Sequence, residues 1–238
     1  MSEEYIEEQE WGSTSYTVQK GSHVSFQTQK AKVDLITNPY FGRMLFIDGV
    51  LQCTSTDEHI YHEAIVKKGL GFRPQNRVLV AGGGEGATIR EVQNHCHTCG
   101  LGLQEIVMVD WDRELVEYMR KLEDLWAAQG SFRDERLSLH YEDIFEFLKN
   151  DQRIYSTIIL DLLDPESDDD YTFLENCIQS SLTRLEEKGS LIMNLGGQRF
   201  GVHSEFDKLR EMFPNRTLSL ETIHVPSFQQ PWYLLIIT

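Results

Sequence analysis

A glycine-rich loop followed by spaced acidic residues is the part of this sequence best suited to chemistry. The loop reads Gly82-Gly83-Gly84-Glu85-Gly86, and Asp110 ends the next apolar run, 26 residues after Gly84. Glycines let the backbone approach a ligand closely, and a carboxylate ending the next strand can accept both hydrogen bonds of a ribose diol. Glu85 would repel a pyrophosphate and suits a cationic ligand, such as a sulfonium or an amine. The alternative is a tight turn with incidental acids.

Two further groups of acids follow later apolar runs. Asp143 comes after the third run and could accept a hydrogen bond from an adenine amino group. Asp161-Leu162-Leu163-Asp164-Pro165 comes after the fourth run and adds two carboxylates. Because ligands of open α/β sheets bind at the carboxyl ends of the strands, we expect all these acids at one rim. Asp168-Asp169-Asp170 is interpreted as a solvated loop and helix cap.

Other candidate residues carry weaker signals. Taken alone, Tyr61-His62-Glu63, Gln52, Phe228 and Trp232 are typical of packing or surface positions. Cys96-His97-Thr98-Cys99 has the spacing of a zinc ligand pair or a redox pair, but a structural zinc site normally needs a second pair. The spacing therefore favours a polar loop after a helix, and we predict no metal.

The elements that must position these residues alternate between strand and helix patterns. Short apolar runs suit buried parallel strands, and the stretches between them have helical periodicity. This alternation favours a Rossmann-like α/β fold with a doubly wound, mostly parallel sheet. The predicted strands cover 77–81, 105–109, 137–140, 157–160 and 190–193. The predicted helices cover 57–70, with Asp57 as N-cap, then 87 onward, 113–128, 144–149, 171–185 and 204–212.

Both ends of the sequence have a different pattern. Residues 1–55 alternate like strands, with Asp48-Gly49 as a hairpin turn signal, and form a predicted N-terminal β-strand unit. Residues 56–238 form the predicted catalytic domain. Its last two runs, 218–225 and 232–237, have no helix between them. They predict an antiparallel strand pair at one side of the sheet.

The composition limits the kind of partner. The formal net charge is -16, whereas nucleic-acid binding needs clustered Lys and Arg. Such a charge would attract a cationic small molecule, although it also fits an ordinary acidic surface. No apolar run approaches the ~20 residues of a membrane span, and the start lacks the basic and apolar parts of a signal peptide. We expect a cytoplasmic protein that binds neither membrane nor nucleic acid.

The motifs together resemble those of the polyamine aminopropyltransferases, which are the spermidine, spermine and thermospermine synthases. The resemblance runs from about residue 40 to the C-terminus. In the family's order, the motifs are Asp48-Gly49-Val50-Leu51-Gln52, Asp57-Glu58-His59-Ile60-Tyr61-His62-Glu63, the glycine loop with Arg90-Glu91-Val92, Asp110-Trp111-Asp112, and Asp161 to Pro165. The resemblance implies a fold like that of class I methyltransferases, decarboxylated S-adenosylmethionine as co-substrate, and methylthioadenosine as product. It implies no tightly bound cofactor.

The resemblance also implies a role for each matching residue. On the donor side, Asp110 would hold the ribose, Asp143 the adenine amino group and Glu85 the aminopropyl amine, with Gln52, Gly82 and Gly84 lining the pocket. On the acceptor side, Asp161 and Tyr61 would be catalytic, and His62, Asp164, Phe228 and Trp232 would bind the polyamine. Asp161 would accept the proton of the attacking amine and hold that amine in line. Glu85 would repel the carboxylate of ordinary S-adenosylmethionine.

The acceptor is predicted from places where the sequence leaves the common family pattern. The acidic loop 166–174 and Val225-Pro226-Ser227-Phe228 look like those of spermine and thermospermine synthases. A triamine has one more cation than putrescine, so extra acid favours spermidine, giving spermine or thermospermine; putrescine is the alternative. Asn194 stands where the family usually has Gln, so a non-catalytic paralogue remains an alternative. A methyltransferase is the other alternative. The family usually forms dimers, so we expect a homodimer.

Overall fold

The first six strands form two small antiparallel sheets. The computed structural model describes residues 3–9, 12–122, 126–165, 167–198 and 202–238. A hairpin contains β1 (Glu3–Gln9) and β2 (Gly12–Val18), and a four-stranded sheet contains β3 (Val24–Gln27), β4 (Lys32–Asn38), β5 (Gly42–Ile47) and β6 (Val50–Thr54). Asp48 and Gly49 have positive φ angles of 50° and 85°, as a two-residue hairpin turn requires. The predicted β-rich start is confirmed, and the domain boundary at residue 55 stays a prediction.

Strands and helices then alternate as predicted. The strands are β7 (Arg77–Gly82), β8 (Glu105–Val109), β9 (Leu137–His140), β10 (Tyr155–Asp161), β11 (Leu185–Gly197), β12 (Leu218–His224) and β13 (Pro231–Ile237). The helices are α1 (Glu58–Leu70), α2 (Ala87–Cys99), α3 (Arg113–Lys121), α4 (Ile144–Asn150), α5 (Asp168–Leu182) and α6 (Val202–Met212). Short 3-10 turns cover Ser131–Arg133 and Pro226–Phe228.

The central sheet has the strand order β12-β13-β11-β10-β7-β8-β9. Strands β7 to β11 pair in parallel, whereas β13 runs antiparallel to both β11 and β12. β7 therefore lies between β8 and β10, at the point where the strand order reverses. In open α/β sheets this switch point is where ligands bind, beyond the carboxyl ends of the strands. The predicted fold class, with its C-terminal antiparallel pair, is confirmed.

The sheet is buried on both faces. Neighbouring residues of a strand point to opposite sides, so Val78 and Val80 pack with Ile65 of α1, while Leu79 packs with Phe147 of α4. Near-continuous apolar strands are expected when helices cover both faces. Among the described residues, no helix is both long and apolar enough to cross a membrane.

α3 ends at Lys121, so the helix predicted over 113–128 is wrong at residues 122 and 126–128, whereas residues 123–125 lie outside the described residues. Trp126 and Ala127 keep apolar spacing but lie in a turn, where they are buried in the cluster that contains residues of the N-terminal sheet and α3. Gln129 and Gly130 have φ angles of 46° and 87°, which a right-handed helix excludes. Burial of a turn therefore imitated helical periodicity.

Two other elements begin earlier than predicted, and one predicted cap lacks its hydrogen bond. The strand expected over 190–193 is part of the longer β11. α5 begins at Asp168 instead of residue 171, because Ser167 and Asp170 form a capping box. Asp57 does occupy the N-cap position of α1, but its carboxylate makes no capping hydrogen bond. It accepts hydrogen bonds from the main-chain N and side-chain Oγ of Ser227 at 2.8 and 2.9 Å.

Candidate active site

The glycine loop packs directly against the acidic ends of the neighbouring strands. Gly82 has a φ of 83°, and a Cβ there would lie 1.8 Å from the main-chain oxygen of Asp161. A Cβ at Gly84 would lie 2.9 Å from Oδ2 of Asp110. Both positions therefore need glycine, and the loop brings the ends of β7, β8 and β10 together.

Asp161 ends β10 and is held by two hydroxyl groups. Tyr61 Oη donates to Oδ1 and Thr88 Oγ1 donates to Oδ2, each at 2.6 Å. Burial and the charge of Glu85 raise the pKa of the Asp161 carboxyl, although both hydrogen bonds oppose this. The two hydrogen bonds fix the carboxylate plane, and the raised pKa makes it a better proton acceptor than an exposed Asp.

Glu85 is paired with a buried imidazolium. Its Oε1 lies 3.2 Å from Nε2 of His62, while Nδ1 of His62 lies 2.7 Å from Oε2 of Glu58. Burial lowers the pKa of His62, but these two carboxylates outweigh it and raise the pKa to about 10. Burial raises the pKa of Glu85, and His62 outweighs that effect and lowers it. Both ring nitrogens of His62 face protein carboxylates, and its amine-binding role stays a prediction.

One oxygen of Glu85 lacks a hydrogen-bond partner. Oε1 is buried and, among the residues described, accepts no hydrogen bond, although it makes the ion-pair contact with His62. Atoms of His62, Glu85 and Asp161 lie within 4.8 Å of one another, a spacing that could also hold a metal ion. A protonated imidazole cannot ligate a metal, so this cluster is better suited to an organic ammonium.

Asp110 ends β8 beside the glycine loop. Its Oδ1 accepts a hydrogen bond of 2.8 Å from the main-chain N of Asp112. Burial, together with the charges of Glu85 and Asp161, outweighs this bond and raises the pKa of Asp110 to about 7. Asp112 is itself held by Thr28 of the N-terminal sheet, whose Oγ1 donates to Oδ2 at 2.6 Å. Asp110 is therefore positioned by two parts of the chain.

A cavity of about 270 Å³ extends from Asp164 toward the N-terminal hairpin. Asn194 donates to Oδ1 of Asp164 at 2.5 Å, and Trp232 Nε1 donates to Oδ1 of Asn194 at 2.8 Å. The Phe228 ring packs against Trp232 with centroids 4.5 Å apart. Glu7 of β1 also lines the cavity. The cavity thus has an apolar wall and carboxylates at separate points along it.

Residues 58–238 match the protein family described as the spermine/spermidine synthase domain. This match covers well over half of the 238 residues.

The chain belongs to the spermine/spermidine synthase family.

Three curated relatives of this chain are all named polyamine aminopropyltransferase. The polyamine aminopropyltransferase of Saccharolobus solfataricus is 33% identical over 213 residues, which are 87% of this chain and 68% of that protein. The polyamine aminopropyltransferase of Lachnoclostridium phytofermentans is 29% identical over 89% of this chain and 74% of its own. The Saccharolobus islandicus enzyme is 41% identical, but the match covers 60% of this chain and 46% of that protein. The chain thus spans less than half of that relative.

Solved structures agree on the fold of the family. The spermidine synthase of Thermotoga maritima superposes with a TM-score of 0.80 at 22% identity, over 98% of this chain and 78% of that one. A spermidine synthase in complex with the transition-state analogue AdoDATO gives 0.81 at 21% identity over the same shares. The predicted family and its transferase class are confirmed, whereas closeness to the spermine and thermospermine branch stays a prediction.

The structure brings most of the predicted site residues of this synthase-family chain to one rim. Tyr61, Glu85, Asp110 and Asp161 interact directly or through their charges. Asp143 caps α4 through a hydrogen bond from Phe145 N at 2.8 Å and is exposed. Gln52 is half-buried, and its Nε2 donates to the main-chain oxygen of Val50 at 3.2 Å. These two do not contact the central acids.

The sequence reading missed residues that support the acids from behind. Thr88 was not singled out, although it lies three residues after Glu85 in the first turn of α2. Arg90 and Glu58 were noted only as letters of a motif, yet they form a buried bidentate ion pair. Their helical spacing places them one turn from Gly86 and His62, and this spacing could have indicated their role. Cys96 and Cys99 lie in the last turns of α2, so the predicted loop there is wrong.

Proposed function

We propose that this protein transfers the aminopropyl group of decarboxylated S-adenosylmethionine to an amine of a polyamine, and releases methylthioadenosine. The carrying observation is the pair of half-buried carboxylates Glu85 and Asp161, of which Glu85 has a buried oxygen that accepts no hydrogen bond. This oxygen has the His62 imidazolium beside it but accepts no well-aligned hydrogen bond, so a ligand ammonium that donates to it would offset part of the cost of its burial. The names of the curated relatives support the same activity.

The donor is assigned to the rim formed by the glycine loop and Asp110. Asp110 would accept both hydrogen bonds of the ribose, Asp143 would bind the adenine amino group, and the aminopropyl ammonium would reach Glu85. Gln52, Gly82 and Gly84 would line this pocket. Ordinary S-adenosylmethionine carries a carboxylate beside its ammonium, and Glu85 would repel that carboxylate. This argument disfavours a methyltransferase.

The transfer step is a direct displacement at carbon. The acceptor ammonium gives a proton to Asp161. The nitrogen lone pair freed in this way attacks the aminopropyl carbon that is bonded to sulfur. That carbon–sulfur bond breaks, and its electron pair stays on sulfur, which becomes the neutral thioether of methylthioadenosine. Tyr61 and Thr88 hold the Asp161 carboxylate by their hydroxyl groups. A fixed base and an in-line nucleophile each lower the barrier.

Spermidine is the proposed acceptor. Asp164, Phe228, Trp232 and Glu7 all line this cavity. Both Glu7 oxygens accept hydrogen bonds from the protein, so an ammonium of a long polyamine would pair with Asp164 while the charge of Glu7 attracts a second one. Burial of the methylene chain against the two aromatic rings would add hydrophobic stabilisation. Putrescine would use the part nearest Asp164 and is the alternative acceptor. A homodimer and a cytoplasmic location remain predictions.

One mass-spectrometric experiment tests the proposal. The protein is incubated with decarboxylated S-adenosylmethionine and either putrescine or spermidine, and the products are searched for one added aminopropyl unit. We expect methylthioadenosine and an extended polyamine, with the faster reaction for spermidine. A faster reaction with putrescine would show that putrescine is the acceptor instead of spermidine. Methyl transfer from ordinary S-adenosylmethionine, or donor binding without product, would support a methyltransferase or a non-catalytic paralogue respectively.

A further inference from the structure

Four charged side chains, three of them buried and Glu85 half-buried, form a row behind the glycine loop, which we call the buried charge row: Arg90, Glu58, His62 and Glu85. Nη1 and Nη2 of Arg90 lie 2.9 and 3.0 Å from the two oxygens of Glu58. Glu58 lies 2.7 Å from Nδ1 of His62, whose Nε2 lies 3.2 Å from Glu85. The charges alternate in sign along the row, which starts in α2, passes through α1 and ends at the loop.

The charge of each side chain in the row is stabilised by a neighbour of opposite charge. Glu85 lies near the carboxylates of Asp161 and Asp110, so a desolvated Glu85 would take up a proton unless a cation stood beside it. His62 is that cation; burial lowers its pKa, and Glu58 is one of the two carboxylates that oppose this and keep the ring protonated. His62 and Arg90 outweigh burial and lower the pKa of Glu58 to about 2. Glu58, which lies two side chains from Glu85 in the row, therefore helps to keep Glu85 ionised.

We propose that Glu58 and Arg90 are positioning residues for the donor's amine: through His62 they keep Glu85 ionised and in place at the glycine loop. This inference rests on the proposed function, because it concerns the residue assigned to the aminopropyl ammonium. Both side chains are buried behind the loop, so we expect neither Glu58 nor Arg90 to contact the ligand itself. Their effect is on how strongly, and over which pH range, the site recognises an amine.

Other titratable groups face the row and belong to the same electrostatic balance. They are Cys53 of β6, Tyr61 of α1, Glu91 of α2, Asp110 after β8 and Asp161 of β10. Burial raises the pKa of Cys53 and of Tyr61, so both stay neutral. Arg90 also pairs with Glu91 through Nε at 2.8 Å, so Glu91 shares Arg90 without contacting His62.

A pair of ligands isolates the contribution of the amine. Decarboxylated S-adenosylmethionine carries both the sulfonium and the ammonium, whereas 5′-(methylpropylsulfonio)adenosine carries the same adenosine, sulfonium and three-carbon chain without the ammonium. Calorimetric titration without acceptor gives a dissociation constant for each ligand. Their ratio cancels the effect of Asp110, because both ligands have the same ribose. In the wild-type protein we expect the amine ligand to bind about tenfold more tightly, with a ratio that stays nearly constant from pH 6.5 to pH 8.5.

Glu58→Gln is the main test variant. Loss of the Glu58 charge leaves His62 neutral, so Glu85 takes up a proton near neutral pH. We expect the ratio to fall about fivefold at pH 6.5 and to recover by pH 8.5, where Glu85 ionises again. His62→Gln should behave alike, and it decides the matter if Glu58→Gln does not fold. Glu91→Gln, which removes the other acidic partner of Arg90, should keep the wild-type ratio.

The outcomes separate this inference from the proposed function. If the wild-type protein binds both ligands equally, Glu85 does not recognise the amine and the proposed donor fails. If the wild-type protein discriminates but Glu58→Gln and His62→Gln keep its ratio at pH 6.5, the positioning role is overturned. A loss of the ratio at every pH, without recovery at pH 8.5, would also overturn it, because a purely structural defect is not reversed by deprotonation.

Discussion

At the scale of single residues, Glu85 and Asp161 are neighbouring, half-buried carboxylates with opposite pKa shifts. Burial raises the pKa of both, but the adjacent imidazolium of His62 brings that of Glu85 below its usual range. Asp161 has hydroxyl partners, Tyr61 and Thr88, and feels the negative charge of Glu85, so its pKa is raised. When the surroundings shift the pKa values of two neighbouring acids in opposite directions, the two acids can take different chemical roles. Glu85 is suited to hold a cation, and Asp161 is suited to exchange a proton.

Asp161→Asn should separate proton transfer from donor binding. The amide keeps the size of the carboxylate and can still contact Tyr61 and Thr88, but it cannot take the acceptor's proton. We expect kcat to fall at least about tenfold, while the affinity for methylthioadenosine changes less than about twofold. Steady-state kinetics and calorimetry measure the two quantities. As a control, Thr88→Val leaves the carboxylate and should cost less in kcat. Wild-type turnover in Asp161→Asn would remove Asp161 from the mechanism.

Donor-site binding should depend on pH through Asp110. Since its pKa is about 7 in the free protein, Asp110 is mostly protonated at pH 6 and mostly ionised at pH 8. Only the carboxylate can accept both ribose hydroxyl protons, so deprotonation favours binding. Affinity for methylthioadenosine should therefore rise about tenfold from pH 6 to pH 8. Calorimetry measures it, and Asp110→Asn should flatten the curve. An unchanged slope in that variant would assign the titration to another group.

At the scale of elements, the turn between β3 and β4 is fastened to the loop after β8. Thr28 Oγ1 bonds Asp112 at 2.6 Å, and the main-chain N of Gln29 bonds Oε2 of Glu114 at 2.7 Å. Asp112 also caps α3 through Leu115 N and supports Asp110 through its own N. The N-terminal sheet therefore contributes directly to the position of the acid assigned to the ribose.

Thr28→Val should weaken both the fold and the donor site. The substitution keeps the shape but removes the hydroxyl group, so a buried oxygen of Asp112 loses its hydrogen bond. We expect the free energy of unfolding to fall by about 1.5–3 kcal/mol, and methylthioadenosine to bind about threefold more weakly. Denaturant titration and calorimetry measure these effects. Ser22→Ala removes a hydroxyl group from the loop before β3, away from Asp112, and should leave the affinity unchanged. If Thr28→Val binds methylthioadenosine as tightly as the wild-type protein does, Thr28 does not contribute to the position of Asp110.

Periodicity and strand ends made much of this architecture predictable from sequence. Parallel strands bring their carboxyl ends to one edge, so Glu85, Asp110 and Asp161 could be grouped before any coordinates were known. Contacts between distant segments have no such pattern. Asp57 bonds Ser227 across 170 positions of sequence, and nothing in either neighbourhood indicates the pairing. Trp126 was placed in a helix because a buried turn has the same apolar spacing.

At the scale of the whole molecule, the net charge of -16 affects how polyamines arrive. Putrescine is a dication and spermidine a trication near neutral pH, so an acidic protein attracts spermidine more strongly over distance. Salt weakens this attraction because the Debye length shrinks from about 30 Å at 0.01 M to about 8 Å at 0.15 M. Contacts inside the cavity, such as those at Asp164, are screened much less. Salt thus separates long-range attraction from the binding contacts.

The dissociation constants of the two polyamines should therefore respond differently to salt. Between about 0.01 M and 0.15 M NaCl, we expect the value for spermidine to rise about threefold more than that for putrescine. Calorimetric titration at several salt concentrations gives both slopes, and choline chloride should reproduce them if ionic strength is the cause. The residual preference at high salt then measures the contribution of the cavity. Parallel slopes would mean that the net charge plays no part in acceptor choice, which would leave the selection between diamine and triamine to the cavity between Asp164 and Glu7.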